Sequence, residues 1–208
     1  MAKDDAALKS AVIEAALPHI AFDGFTGKLM DRAAKEAGAK KADMLRLFPG
    51  GGLGLLEAYS EGVDAEMEKR LAKLKLAAMP MRKRIAAAVK TRLAILKPHK
   101  EAARRAVVHL CLPPNVALGA NLVYRTVDAM WRAAGDVSTD FDFYTKRAIL
   151  AGIYSATLLR WLADDGADES ATGAFLTARI EEVMQFEKLK ARTKAGLGRL
   201  WATPAKQA

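Results

Sequence analysis

The sequence is poor in residues that build disulfides and metal sites, and it contains no long apolar run. Its 208 residues include one Cys and three His. A single Cys excludes an internal disulfide and indicates a reducing compartment, and so few scattered His and Cys cannot form a closed zinc site. No apolar run approaches the roughly 20 residues that span a bilayer, and the N-terminus lacks the apolar stretch of a signal peptide.

The composition is that of an ordinary globular protein, and the charge is unevenly distributed. Apolar residues make up 51% and charged residues 27%, with a formal net charge of +9. This length predicts one domain, and the positive surplus points to nucleic acid or an anionic membrane surface. The net charge is zero over residues 1–60, +8 over 61–112, −5 over 113–187 and +6 over 188–208. The basic residues are therefore concentrated in a middle segment and in the tail.

The apolar periodicity is helical almost throughout, and no segment alternates as a strand does. Gly38 suits the end of a helix, and the residue before Pro49 resists the helical region. We therefore predict an all-α domain. About nine helices are expected, over residues 4–22, 28–37, 41–47, 55–76, 81–96, 101–112, 115–134, 140–163 and 168–191.

Residues 1–54 contain three short helices with a tight glycine turn, as in a helix-turn-helix. The motifs Asp23-Gly24-Phe25 and Leu45-Arg46-Leu47-Phe48-Pro49 resemble the N-terminal domain of TetR-type regulators. The resemblance implies a TetR-like fold, with the third helix in the DNA major groove and phosphates held by aromatic hydroxyls and a Ser-Lys pair. A ligand-responsive DNA-binding regulator is thus one interpretation.

The positions that hold phosphates in TetR-type regulators are changed in this chain. Residues 45–48 lack the aromatic hydroxyls, and Gly50-Gly51 replaces the Ser-Lys pair. Phosphate contacts supply most of non-specific DNA affinity, and this part of the chain has no net charge. Lys40, Lys41 and Arg46 remain as basic groups. We expect the fold without the DNA function, so nucleic acid is not a favoured partner.

Large aromatic and soft side chains gather around the predicted turn at Gly135. Acidic and hydroxyl residues after the turn favour the start of a new helix. Such a cluster packs into a core or forms an exposed patch for a partner, because aromatics and Met are enriched at interface centres. The cluster comprises Met130, Trp131, Phe141, Phe143 and Tyr144.

A long motif continues through this turn. It reads Gly135-Asp136-Val137-Ser138-Thr139-Asp140-Phe141-Asp142-Phe143-Tyr144-Thr145-Lys146-Arg147, preceded by Arg125-Thr126-Val127-Asp128-Ala129-Met130-Trp131. The stretch resembles the ubiquinone-biosynthesis accessory family, coenzyme-Q biosynthesis protein nine and its bacterial relatives, over roughly residues 10–190. The resemblance implies a TetR-like fold that binds an isoprenoid quinone intermediate and presents it to the di-iron demethoxyubiquinone hydroxylase.

The same resemblance implies a docking patch for the hydroxylase. The family has a Met followed by a Trp-Tyr-x-x-Arg cluster at these positions, and here Phe143 replaces the Trp and Asp142 the usual Asn. A Phe keeps the apolar anchor but loses the indole donor. The expected partner-binding residues are Met130, Phe143, Tyr144 and Arg147.

An isoprenoid tail needs a long apolar cavity, which a helix bundle provides between its helices. We expect this cavity, together with a homodimer interface on the last two long helices, within residues 55–190. A filled core would give the same apolar pattern, so that alternative stays open. The expected lipid-binding residues are Leu118, Leu122, Val123, Val127, Ile149, Ile153 and Leu158.

The tail, residues 191–208, combines apolar and basic residues without any acidic one. This pattern is typical of a helix in an anionic membrane interface, although a frayed basic tail is the alternative. The expected location is cytoplasmic and bacterial in type, peripheral on the inner membrane. The expected membrane-binding residues are Leu197, Leu200, Trp201, Lys190, Lys194 and Arg199.

Catalytic patterns are missing from the sequence. His109 and Cys111 lie two residues apart on a predicted helix and face different directions. The glycine run at residues 50–54 lacks the Lys-Ser/Thr of a phosphate-binding loop, and no Glu…Glu-x-x-His arrangement of a di-iron bundle occurs. We therefore expect a non-enzymatic protein without a metal or a resident cofactor, apart from a bound isoprenoid lipid or quinone precursor.

Overall fold

The described part of the chain is all-helical. The computed structural model describes residues 2–139, 141–164, 170–183 and 185. It confirms the predicted all-α bundle: eight helices are followed by a further helical stretch over residues 170–183. The eight are α1 (Ala2–Asp23), α2 (Gly27–Ala37), α3 (Lys41–Leu47), α4 (Gly52–Leu71), α5 (Met81–Leu96), α6 (Lys100–Leu110), α7 (Val116–Ala133) and α8 (Phe141–Ala163).

Helices α1 to α3 form the expected helix-turn-helix. The Thr26 hydroxyl accepts a hydrogen bond from the Leu29 amide and starts α2. Gly38, with φ of 68°, ends α2 in the left-handed conformation that glycine adopts without strain. One apolar core joins α1, α2, α3 and the start of α4, and its fully buried members include Val12, Ile20 and Leu29.

The entry into α4 explains the glycine run. A Cβ on Gly52 would lie 2.2 Å from the carbonyl oxygen of Phe25, so only glycine fits where α4 meets the end of the α1–α2 connection. Gly51 precedes it with φ of 58°. The predicted start of this helix at residue 55 was therefore three residues too late. Its predicted end at residue 76 was five residues too late, because the chain leaves the helix after Leu71.

A second core lies between α4, α5, α7, α8 and the stretch 170–183. Met67, Val89, Val127 and Met130 are fully buried in it, and Trp161 is almost so. Burial on this scale supplies the main stabilisation of a helical bundle, about 1.5–3 kcal/mol for each large apolar side chain. The two cores adjoin at α6 and α7: Ala102 and Leu122 belong to the first core, and Ala103 and Val127 belong to the second.

Membrane-spanning potential in the described residues is limited to one bent pair of segments. No single helix there has the length and apolar character needed to cross a bilayer. Met81–Leu110 and Pro113–Ala133 meet those criteria only when taken together, with a bend of 95° between them.

Candidate functional site

A central cavity lies between α4, α5, α6, α7 and α8. Its free volume is about 100 Å³, below the roughly 300–1,000 Å³ that small-molecule sites occupy, so in this conformation it has room for part of a lipid and not for a whole isoprenoid tail. Most of the lining is apolar, as a site for a lipid requires. The apolar lining includes Leu56, Val63, Leu96, Ala103, Ala106, Val107, Leu110, Leu122, Val123 and Leu158.

One end of the cavity is polar and centred on Arg92, which is 6% exposed. Its Nε donates a hydrogen bond to Asp64 at 2.7 Å, and its two terminal nitrogens donate to the Tyr154 hydroxyl and, at 3.1 Å, to Ser60. Thr126 donates to the same Asp64 carboxylate at 2.9 Å. The buried guanidinium is thereby neutralised by a carboxylate, the condition under which a buried charge is tolerated.

Tyr59 lines the same end of the cavity but stands outside this network. Its side chain is buried, and its hydroxyl has no hydrogen-bond partner within the described part of the chain. Burial raises the pKa of Tyr59 to about 12, against a smaller opposing effect of Arg92. The phenol is thus a neutral, protonated donor at physiological pH.

Sequence reasoning missed the polar end of the cavity. Arg92 and Tyr154 are 62 residues apart, so no local spacing connects them. The available signal was the position of Arg92 on α5, three residues after Val89 and four before Leu96 on the apolar face of the helix, because an Arg there must be paired when it is buried.

The residues predicted to bind lipid do not surround one cavity. Leu122, Val123 and Leu158 line the central cavity, and Val127 is sealed in the core beside it. Ile149 and Ile153 instead line a separate apolar groove between α5, α8 and the stretch 170–183, here named the α5–α8 groove. The prediction of a single cavity was wrong, because side chains on α8 at positions 149 and 153 face away from those at 154 and 158.

Leu118 also lies outside the central cavity. It packs against the N-terminal core and lines a shallow depression with Leu47 and Pro49. Its position on α7, one turn before Leu122, had suggested a shared face. Both residues pack in the N-terminal core, but only Leu122 also lines the central cavity.

The central cavity adjoins a surface groove between α7 and α8. Gly119 and Val123 line both. Tyr124 and Tyr144 stand over this groove, named here the α7–α8 groove, and are 43% and 65% exposed. A Cβ on Gly119 would lie 3.2 Å from the Cβ of Leu110, so this glycine permits the close approach of α6 and α7 at the cavity wall.

The turn between α7 and α8 is held by buried ion pairs. The Asp136 carboxylate accepts hydrogen bonds from Ser138 at 2.7 Å and Lys146 at 2.9 Å, and it pairs with Arg147 at 3.4 Å. Burial alone would raise the pKa of Asp136, but the hydrogen bonds from Ser138 and Lys146 outweigh it and hold the pKa below its usual value. Gly135, with φ of 84°, makes the turn possible.

This geometry divides the predicted docking residues into buried and exposed ones. Met130 is fully buried in the core and Arg147 is 3% exposed, so neither is available for direct contact with a partner, which corrects the prediction for both. Phe143 is half-buried and contacts Tyr144 edge to face, with ring centroids 5.1 Å apart. Tyr144 is exposed. Arg147 supports the surface that Tyr144 presents, because it contacts the Phe143 ring.

Of the three basic groups on and beside α3, Lys40 and Lys41 are exposed, whereas Arg46 is already paired. Arg46 on α3 forms ion pairs with Asp5 and with Asp43, the latter at 3.1 Å. Leu45 beside it is 65% exposed. An Arg already paired with two carboxylates is poorly placed to neutralise DNA phosphates.

Two further features of the sequence have structural roles. His19 lies 2.9 Å from Glu36 and 3.2 Å from Arg32, a contact between α1 and α2. Asp23 pairs with Lys28 and Arg32, and the hydrogen bond from Lys28 lowers its pKa. Across the described residues, no group of three or more His, Cys, Asp or Glu side chains could hold a metal ion.

The fold is also found among solved structures. A crystal structure of a TetR transcriptional regulator from Nitrosomonas europaea ATCC 19718 aligns with a TM-score of 0.66 and 20% identity, over 84% of this chain and 96% of the other. The chain is thus an all-α protein of TetR-like architecture.

The sequence relationship is more specific. Residues 116–187 match the COQ9 family model, a range that contains the α7–α8 turn and its ion pairs. Ubiquinone biosynthesis protein COQ9, mitochondrial, is 35% identical in Bos taurus and 34% in Rattus norvegicus, each over 184 residues and 85% of this chain. The Homo sapiens protein is 44% identical over 97 residues, or 47% of the chain. The predicted relationship to the COQ9 family is confirmed.

The relatives also bear on the length of the match and on the expected location. The chain spans 57% and 59% of the length of the Bos taurus and Rattus norvegicus proteins, and the matched part is 30% of the human one. The expected cytoplasmic location of bacterial type is wrong, because these relatives are named as mitochondrial proteins and thus point to mitochondria.

Proposed function

We propose that this protein is a non-enzymatic accessory protein of ubiquinone biosynthesis that holds an isoprenoid quinone intermediate in its central cavity. It delivers this lipid to the di-iron demethoxyubiquinone hydroxylase at a membrane surface. The names of its COQ9 relatives support the pathway. The observation that carries the lipid-binding part is the apolar central cavity with its buried polar end.

The connection between cavity and surface supports the delivery step. Gly119 and Val123 are shared between the central cavity and the α7–α8 groove, where Tyr144 is exposed. Aromatic side chains with a polar tip are favoured anchors at protein interfaces. A hydroxylase docked on Tyr144 therefore covers the position at which the central cavity meets the surface.

The membrane part of the proposal rests on charge. The predicted membrane-binding residues of the tail, including Trp201, lie outside the described residues, so for them the sequence pattern is the support. A second basic surface lies at the connection from α4 to α5, where Lys75, Arg82 and Lys83 are exposed beside Leu74 and Met81. No carboxylate within the described ranges forms an ion pair with these three cations. Cations mixed with exposed apolar groups suit an anionic lipid surface.

A homodimer completes the proposal. The outer face of α8 exposes Gly152 and Leu159, and TetR-like proteins pair through their last long helices. We expect Leu159→Arg to convert the dimer to a monomer, as measured by light scattering during gel filtration. A wild-type monomer under the same conditions contradicts this part alone.

Extraction of the purified chain with organic solvent, followed by mass spectrometry, tests the lipid-binding part. A polyprenyl quinone precursor is expected in the extract. Ala106→Phe places a ring in the central cavity and should reduce the lipid content severalfold, whereas the same change at the exposed Ala117 should not. A lipid-free wild-type extract, or equal lipid in both variants, contradicts the proposal. Tight, sequence-specific binding to duplex DNA at physiological salt favours a regulator instead.

A further inference from the structure

The central cavity contains a hydrogen-bond donor that has no acceptor in the described part of the chain. The Tyr59 hydroxyl is buried and unpartnered among the described residues, while the polar groups around it satisfy one another. A buried hydroxyl without a partner costs about 1–3 kcal/mol. Such a group in the wall of a cavity is explained when a bound molecule supplies the missing partner.

The charges around Tyr59 restrict the nature of that molecule. Arg92 is the cation of the cavity lining, and it donates at 2.7 Å to Asp64. Asp64 also accepts from Thr126. The polar end is therefore neutral overall, and a carboxylate or phosphate would lose its hydration without meeting an unpaired positive charge. A neutral oxygen acceptor carries no such penalty.

The apolar part of the cavity lining restricts the chemistry of the rest of the bound molecule. Beyond the polar end, Leu96, Val107 and Leu122 present apolar surface. The wall therefore favours a molecule with a polar head and an apolar body.

We propose that Tyr59 is the head-group recognition residue of the central cavity. Its hydroxyl donates a hydrogen bond to a neutral oxygen, such as a ring carbonyl or ether, of a ligand whose apolar body lies along α6 and α7. Arg92 is a positioning residue, which holds Tyr154 and Ser60 at the polar end. This inference rests on the proposed lipid-binding function and specifies which lipids are selected: neutral, oxygen-bearing heads rather than fatty acids or phospholipids.

Three probes with similar apolar bodies test the selection on the delipidated full-length chain. Decyl-benzoquinone carries neutral ring oxygens, dodecylbenzene carries none, and dodecanoate carries a negative charge. The wild type should bind the quinone at least about tenfold more tightly than either of the others, because only the quinone satisfies Tyr59 without burying a charge. Equilibrium dialysis measures the three dissociation constants.

Tyr59→Phe removes one oxygen and leaves the ring in place. We expect the variant to bind the quinone about three- to tenfold more weakly and dodecylbenzene with unchanged affinity. Its ligand-free melting temperature should equal or exceed that of the wild type, because no internal hydrogen bond is lost. Tyr124→Phe, at an exposed position outside the central cavity, should change none of these quantities.

The outcomes separate the two levels of the proposal. A wild type that binds none of the probes contradicts the lipid-binding function and this inference with it. A wild type that binds the quinone and dodecylbenzene equally, or dodecanoate best, contradicts only the head-group selection. Equal loss of all probes in Tyr59→Phe shows a general effect on the cavity and also overturns the role of the hydroxyl.

Discussion

The guanidinium carbon of Arg147 lies 3.3 Å from the centroid of the Phe143 ring. The same guanidinium donates to Asp128 at 2.7 Å and pairs with Asp136 at 3.4 Å. A cation enclosed by two carboxylates and a ring face is held in one orientation. Arg147 therefore fixes Phe143, Phe143 contacts Tyr144, and Tyr144 is the member of this group that faces solvent.

This arrangement predicts that mutations can separate the residue that contacts the hydroxylase, Tyr144, from the residue that supports it, Arg147. Tyr144→Lys changes an exposed side chain, so the free energy of unfolding should change by less than about 0.5 kcal/mol. Docking of the hydroxylase should nevertheless be lost, because the aromatic anchor is gone. Denaturant unfolding and co-purification with the hydroxylase measure the two effects. Docking that persists in Tyr144→Lys rejects the proposed docking surface.

Arg147→Ala is expected to act differently. It leaves Asp128 and Asp136 without their shared partner, so it should destabilise the protein by about 3 kcal/mol and also weaken docking. Arg147→Lys keeps the charge but not the forked geometry, and we expect an intermediate loss of stability. An unchanged unfolding midpoint in Arg147→Ala would contradict the structural role.

The ion pairs at Asp136 predict a dependence of stability on pH. The folded-state pKa of Asp136 lies below its unfolded value of about 3.9. Its contribution to stability is thus fully present above about pH 4 and is lost as the pH falls through the folded-state pKa. Asp136→Asn should cost about 2 kcal/mol at pH 7, and the difference from the wild type should shrink towards pH 3. Urea unfolding at a series of pH values measures it; a difference that is constant with pH argues against the ionised pair.

Glycine and proline residues in the sequence predicted the ends of the helices better than any pattern predicted the residues of the site. The bounds of α3 and α5 were predicted correctly, since Gly38, Pro49 and Pro80 act within a few residues along the chain. The start of α4 depends on the approach of Gly52 to Phe25, which is a tertiary contact.

The candidate site is formed by tertiary contacts between residues that are distant in the sequence. Composition could not distinguish the buried Arg147 from an exposed interface Arg, because its partner Asp128 lies 19 residues away. The polar end of the central cavity joins groups more than 60 residues apart. Residue type indicated an apolar interior, but only the packing of the helices separated the central cavity from the α5–α8 groove.

Deletion of residues 188–208 tests the predicted membrane contact of the tail. The deletion removes six basic and no acidic residues from a chain of net charge +9, so binding to anionic liposomes should fall and the remaining binding should weaken further as salt is raised. The far-ultraviolet circular dichroism of the described helices should be retained. Neutral phosphatidylcholine liposomes serve as the control surface. Undiminished sedimentation with anionic liposomes refutes the role of the tail.

Two glycines in the same helix provide a matched test of the N-terminal packing. Gly52→Ala places a Cβ 2.2 Å from the Phe25 carbonyl oxygen, and because that atom belongs to the backbone, α4 must move away from the helix-turn-helix. We expect a loss of about 2–3 kcal/mol in the free energy of unfolding. Gly62→Ala meets no atom within 4 Å and should instead stabilise α4 by about 0.5–1 kcal/mol through helix propensity. Thermal and denaturant unfolding of both variants measure the contrast; stabilisation by Gly52→Ala would show that α4 does not approach Phe25 as closely as described.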